Sequence, residues 1–159
     1  MPELVSIANA ERALLQVKSA LDEEGVEFFL RQGTCLGAVR DGVIIPWDDD
    51  IDIGSLMGRP GVTRDAIEAC ASRLRDQGFC VKIEEIDSDI FIEISHESTR
   101  IDWFCYKPVR GYISHHPGVR IPVRMLEHLT TCDFLGARFM VPNPPEEYLA
   151  LKYGPDWHI

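Results

Sequence analysis

The sequence predicts an α/β (α+β) fold, a mixed β-sheet flanked by helices, formed as a single domain over residues 1–159. Three observations predict it. Two stretches, 5–24 and 63–77, carry apolar residues at three- and four-residue steps, the period of a helix with one buried face. Between and after them lie runs that alternate or concentrate β-branched and aromatic residues, the pattern of strands. The first such run, VEFFLR at 26–31, leads directly into a small-residue turn and a short helical stretch. With 159 residues and 45% hydrophobic content, the chain is long enough to bury roughly two-thirds of its unfolded surface in one core.

In the first helix Ile7, Ala10, Leu14, Val17 and Leu21 form the inward stripe, and Gly25 suits its end. After the strand at 26–31, Gly33 permits close backbone approach. Thr34 is placed to cap a short helix over 35–40. Asp41-Gly42 makes a turn, and Pro46 keeps Ile45 extended. Residues 49–56 alternate acid and aliphatic, with Asp50 and Asp52 on one strand face and Ile51 and Ile53 on the other. The second helix turns Ala66, Ile67, Cys70, Ala71 and Leu74 inward, with Thr63 as its N-cap, Asp65 in its first turn and Gly78 as its stop. Residues 79–86 and 90–94 read as a hairpin, and RIDWFCY at 100–106 as a further strand that sets Asp102 opposite Ile101 and Trp103. Residues 107–122 form a loop with a short hairpin. A hairpin around Gly136 and a helix over 145–152, stopped by Gly154-Pro155, complete the chain.

Composition narrows the functional classes. A net charge of −10 argues against general nucleic-acid binding, which requires a basic surface. No apolar run approaches the ~20 residues needed to span a bilayer, and the N-terminus lacks a basic, then apolar, leader. A cytoplasmic protein without a transmembrane segment is expected. Cys35, Cys70, Cys80, Cys105 and Cys132 are odd in number and nowhere in CxxC spacing, so reduced, mostly buried thiols are expected. Arg120, Arg124 and Arg138 read as solvated charge, although a substrate phosphate contact is open to them. His115 and His116 have no metal-ligand spacing. Tyr153 and Trp157 read as packing residues that could alternatively stack on a base.

The chemistry concentrates at 32–54, QGTCLGAVRDGVIIPWDDDIDIG. A strand that ends in a glycine turn at a helix start presents unpaired N–H groups and suits an anion, here at Gly33 and Thr34. Asp50 and Asp52 follow at roughly 7 Å along one strand face. At an effective dielectric near 20, two ionised carboxylates at that distance repel by about 2.4 kcal/mol. A strand this acidic is therefore expected to hold a hard cation. Asp52→Asn is expected to stabilise the metal-free protein as repulsion falls. An EF-hand loop does not fit, because Ile53 and Arg59 stand where glycine and glutamate belong. A DxD glycosyltransferase motif leaves QGTCLGAVR without a role. Mg²⁺ takes few protein oxygens and completes its shell with substrate phosphates, and a two-metal site clamps both oxygens of an in-line displacement. If the strand of Asp102 lies beside that of Asp50 and Asp52, it supplies a third carboxylate. An unpaired aspartate in so apolar a strand is costly and calls for a partner.

The run Gly33-Thr34, Leu36-Gly37-Ala38-Val39-Arg40 and Ile45-Pro46-Trp47-Asp48-Asp49-Asp50-Ile51-Asp52-Ile53-Gly54 closely resembles the LicD family, which includes the fukutin-related transferases and belongs to the nucleotidyltransferase fold superfamily. The tail from Val141-Pro142 through Tyr148-Leu149 to Tyr153-Gly154-Pro155-Asp156-Trp157 is similar to that family's closing segment. The resemblance covers about a third of the chain. It implies that Gly33-Thr34 is the phosphate turn, Asp50 and Asp52 the paired acids, and Asp102 the third acid. Mg²⁺ or Mn²⁺ is the implied cofactor, with Asp48 as an additional ligand or supporting acid. Arg40 is expected to join Gly33 and Thr34 on the donor phosphates, and Asp102 to accept the acceptor's proton. The implied reaction moves a phosphate-linked group, such as phosphocholine or an alditol phosphate, from a nucleoside-diphosphate donor such as a CDP-linked compound to a hydroxyl of a glycan. Nucleotidyl transfer to a small molecule, and a non-catalytic nucleotide-binding module, are the alternatives. The retained self-repelling acids favour an enzyme over the module.

Overall fold

The computed structural model describes residues 2–45, 50–115 and 118–159, with side chains from residue 7 onward except at 115. The expected elements appear in order. Helix α1, Pro2–Glu23, leads to a two-residue strand β1, Phe29–Leu30, then helix α2, Gln32–Leu36, continued by a π-helical turn at Gly37–Asp41. Strand β2 is Asp50–Leu56, helix α3 Arg64–Asp76, and strands β3, β4 and β5 are Cys80–Ile86, Asp89–His96 and Thr99–Tyr106. Hairpin β6–β7 (Tyr112–His115, Val119–Pro122), helix α4 (Arg124–Glu127), hairpin β8–β9 (Thr130–Phe134, Ala137–Val141) and helix α5 (Pro145–Tyr153) follow.

The main sheet runs β1-β2-β5-β4-β3. It is mixed as expected: β2 and β5 are parallel, whereas β1 on β2, β4 on β5 and β3 on β4 are antiparallel. A parallel pair needs a long crossover, which here contains α3 and the β3–β4 hairpin. Alternation then sorts the sheet's side chains. Ile51, Ile53, Ile92, Ile94, Ile101, Trp103 and Cys105 are all buried, as are Leu14, Val17 and Leu21 of α1 and Ile67, Cys70 and Leu74 of α3. The capping of α3 follows the sequence reading, with Thr63 Oγ1 accepting from the Ala66 N–H at 3.1 Å. No described helix is long and apolar enough to cross a membrane.

Two local readings change. The helix after the glycine turn begins at Gln32, not 35, with Arg31 in the extended N-cap position. Thr34 therefore lies inside it and caps nothing; its buried Oγ1 accepts from the Asp52 N–H at 2.9 Å, fastening α2 to β2. Two glycines of this stretch, Gly37 and Gly54, are required by close approach. A Cβ at Gly37 would lie 2.4 Å from the Val43 carbonyl oxygen, and one at Gly54 would lie 2.8 Å from the Phe29 ring.

Candidate active site

On the other face of the sheet, the β2–β5–β4 register lays polar residues in rows. Asp50 is opposite Arg100; Asp52 is opposite Asp102, which is opposite Glu93; Gly54 is opposite Phe104, which is opposite Phe91. Neighbouring strands stand ~4.8 Å apart, so the carboxylates of Asp52 and Asp102 project side by side. The expectation that the strand of Asp102 adjoins that of Asp50 and Asp52 holds. The acids lie on one face of β2 and β5, at the end of β2 beyond the two residues that β1 pairs, Ile53 and Gly54.

Two arginines divide this charge. Arg100 Nε donates to Asp102 Oδ1 at 2.8 Å, and its guanidinium lies 3.4 Å from Glu93 and 3.9 Å from Asp50. On the other flank, Arg31 Nη2 is 3.2 Å from Asp52 Oδ1, and Arg31 Nε donates to the Ile53 carbonyl at 3.0 Å. Arg31 is only 4% exposed, and its guanidinium sits 5.1 Å from the centre of the Phe104 ring. That ring is itself stacked between Phe91 at 4.8 Å and Tyr106 at 5.4 Å. The lone-aspartate argument made from sequence is met: the nearly buried Asp102 has Arg100 as its partner.

Helix α5 reaches the site from the far end of the chain. The phenol oxygen of buried Tyr148 accepts from the Gln32 N–H at 2.8 Å, tying α5 to the start of α2. Burial pushes this phenol well above its ordinary range, so it remains a neutral hydroxyl. Lys152, one helical turn on, has its ammonium pulled below the usual lysine range by burial first and by the Arg31 charge second, with Asp52 opposing. A cavity of about 520 Å³ opens over the acidic face, lined by Arg31, Gln32, Asp50, Asp52, Asp102 and Phe104 among others.

Of the residues expected from sequence, Asp50, Asp52 and Asp102 share this face, and Gly33 and Thr34 lie in the first turns of α2 beside it. Arg40 bonds its neighbour Asp41 at 2.9–3.1 Å and does not line the cavity. Asp48 lies outside the described residues. Arg124 pairs with Glu147, Arg138 faces Asp133, and Arg120 stacks on Tyr112, so each has a surface partner. Sequence reading missed Arg31, Arg100, Tyr148 and Lys152. Arg100 was detectable, because it stands two positions before Asp102 and alternation puts both on one face. Arg31 carried a weaker signal, as a charge closing an otherwise apolar strand.

Asp52 and Asp102 together offer the hard oxygen donors that suit Mg²⁺ or Mn²⁺, of which Mg²⁺ needs only one or two carboxylates beside water and substrate phosphate. Each is held by an arginine, and among the described residues no three His, Cys, Asp or Glu side chains form a ready cluster. The donor chemistry fits a divalent ion, with the arginines as the groups that must yield.

Comparison with known proteins agrees with this architecture. The family model described as LicD/FKTN/FKRP, nucleotidyltransferase domain, matches residues 25–144. The human ribitol 5-phosphate transferase FKRP is 31% identical over 147 residues, covering 87% of this chain and 30% of its own length. The mouse protein is 30% identical with the same coverage. The human ribitol-5-phosphate transferase FKTN is 25% identical over 99% of this chain and 35% of its own. The chain thus spans about a third of these relatives. Among solved structures, ANT(2″)-Ia in complex with adenylyl-2″-tobramycin superposes with a TM-score of 0.57 at 18% identity, over 84% of this chain and 68% of that one. The solution structure of ANT(2″)-Ia gives 0.56 at 17% identity, over 96% and 82%; both are likenesses of fold. The match across most of the chain, on a mixed sheet with paired acids on β2, establishes that this chain belongs to the LicD/FKTN/FKRP nucleotidyltransferase-domain family.

Proposed function

We propose that this chain is a divalent-metal-dependent transferase that moves a phosphate-linked group, alditol phosphate or phosphocholine in type, from a nucleoside-diphosphate donor onto a glycan hydroxyl. The observation that carries this reading is the in-register placement of Asp52 beside Asp102 on the parallel β2–β5 pair. The ribitol-phosphate transferases among its relatives support the class of group moved.

In this reading Asp52 and Asp102, with Asp50 and Asp48 in support, hold Mg²⁺ or Mn²⁺. A bound ion would offset diphosphate charge and stabilise the leaving oxygen. The N–H groups of the first turn of α2, at Gly33 and Thr34, face the phosphates because a helix start leaves them without intrahelical acceptors. Arg40 joins them after leaving Asp41. The acceptor hydroxyl attacks the phosphorus that bears the transferred group, the bond to the nucleotide's phosphate breaks, and nucleoside monophosphate departs. Asp102 takes the hydroxyl's proton.

Phosphorus NMR of the protein with Mg²⁺, CDP-linked donors and an oligosaccharide acceptor tests this. The expected products are CMP and a glycan phosphodiester. A new CMP ester of the acceptor would instead mean nucleotidyl transfer. Line broadening without any scission, across the donor panel, would mean a binding module.

A further inference from the structure

Among the described residues, Arg31 is the one basic residue that is buried, and its protein partners do not use up its donors. A guanidinium carries five N–H groups. One, on Nε, donates to the Ile53 carbonyl at 3.0 Å, and one, on Nη2, faces Asp52 Oδ1 at 3.2 Å. The remaining three have no hydrogen-bond partner among the described residues. The side chain is nevertheless fixed: the Arg31 N–H donates to the Asp52 carbonyl at 3.1 Å, and the guanidinium lies 5.1 Å from the Phe104 ring centre. A guanidinium whose sole task was to neutralise Asp52 would present its two-pronged edge to that carboxylate. Here the Nε edge is spent on a backbone carbonyl, and Arg31 is among the residues that line the cavity.

Unsatisfied N–H groups at a buried site are costly, which favours a ligand rich in oxygen acceptors. Among the described residues, the cavity's other charged lining groups are Asp50, Asp52, Asp87 and Asp102, so an anion entering beside them is favoured by this cation. Arginine's planar fork matches phosphate oxygens better than a lysine's point charge.

We propose that Arg31 is a phosphate-binding residue of the donor subsite, taking a non-bridging oxygen of the diphosphate with the N–H groups left open by Ile53 and Asp52. This rests on the donor reading above and names the residue that recognises it. Arg31 also competes with a metal ion for Asp52, so metal binding at Asp52 strengthens the hold of Arg31 on phosphate.

The test is calorimetric titration of inorganic pyrophosphate and of CDP, in the presence of Mn²⁺, into the wild-type protein and into Arg31→Gln and Arg31→Lys. Mn²⁺ binding alone is followed by electron paramagnetic resonance. Arg31→Gln is expected to lose tenfold or more in pyrophosphate and CDP affinity, with Mn²⁺ affinity equal or higher. Arg31→Lys, which keeps the charge and loses the fork, is expected to fall between. A merely structural role would lower the melting temperature and leave diphosphate affinity unchanged; that result in a folded variant overturns the proposal. Should Arg31→Gln fail to fold, Arg31→Lys decides, a loss under twofold counting against. Wild-type protein that binds neither pyrophosphate nor CDP would overturn the donor reading itself, and this proposal with it.

Discussion

The pair formed by Arg31 and Asp52 decides how the acidic strand is tolerated. From sequence, the acids on β2 repel one another, and Asp52→Asn is expected to stabilise the metal-free protein. The structure reverses that sign. Asp52 Oδ1 lies 3.2 Å from a guanidinium whose side chain is 5% exposed, so removing the carboxylate charge strands a buried cation. Asparagine keeps one acceptor oxygen, which limits the loss. We expect Asp52→Asn to cost about 1–3 kcal/mol in metal-free urea melts and to abolish metal-dependent turnover. A variant more stable than wild type would show that repulsion from Asp102 outweighs the arginine.

At the scale of elements, β2 is held along its edge and from one face. At the edge, Thr34 binds the Asp52 N–H. Beneath it, the Ser55 hydroxyl donates to the Glu27 carbonyl at 2.7 Å and accepts from Trp103 Nε1 at 3.0 Å. One buried hydroxyl near the end of β2 thus joins the approach to β1, β2 itself and the middle of β5, on the sheet face opposite the carboxylate row. Ser55→Ala leaves an indole N–H and a carbonyl without partners. It is expected to cost about 2–4 kcal/mol in guanidinium denaturation, with a fall in metal affinity as the spacing of Asp52 and Asp102 loosens. Stability within experimental error of wild type would place the sheet's registration elsewhere.

For the whole molecule, the buried thiols set an alkaline limit. Burial pushes Cys70 up to about 12, and Cys35 and Cys105 higher still, because a thiolate has no solvation in the core. These folded-state values lie above those of the unfolded chain. The stability they contribute is therefore complete below the ordinary thiol range and lost progressively as pH rises from there toward the folded-state values, an interval in which only the unfolded chain has released its protons. The unfolding free energy from denaturant melts under reducing conditions should fall between pH 8.5 and 10, by about 4–5 kcal/mol for the three thiols together. A flat profile over that interval would mean that the thiols ionise as readily folded as unfolded. Exposed Cys80 should react with a thiol reagent in the native protein, whereas Cys35, Cys70 and Cys105 should react only on unfolding.

Local periodicity made much of this protein legible. The stripes of α1 and α3, the Thr63 cap, the alternation of Asp50 and Asp52 against Ile51 and Ile53, and the face of Asp102 all depend on residues a few positions apart, so the sequence by itself determined them. It also carried the family, because the glycine turn and paired acids form one contiguous run. The tertiary structure alone decided what those residues meet. Asp52 stands beside Asp102 only because the crossover through α3 and a hairpin returns the chain in parallel register. Thr34 abandons the expected cap because the Asp52 amide offers its hydroxyl a donor from another element. Tyr148 finds the Gln32 N–H across 116 residues, and Arg31 finds Asp52 across a turn and a helix. Such contacts are chosen by chain closure and packing, whose energetics no short window of sequence contains.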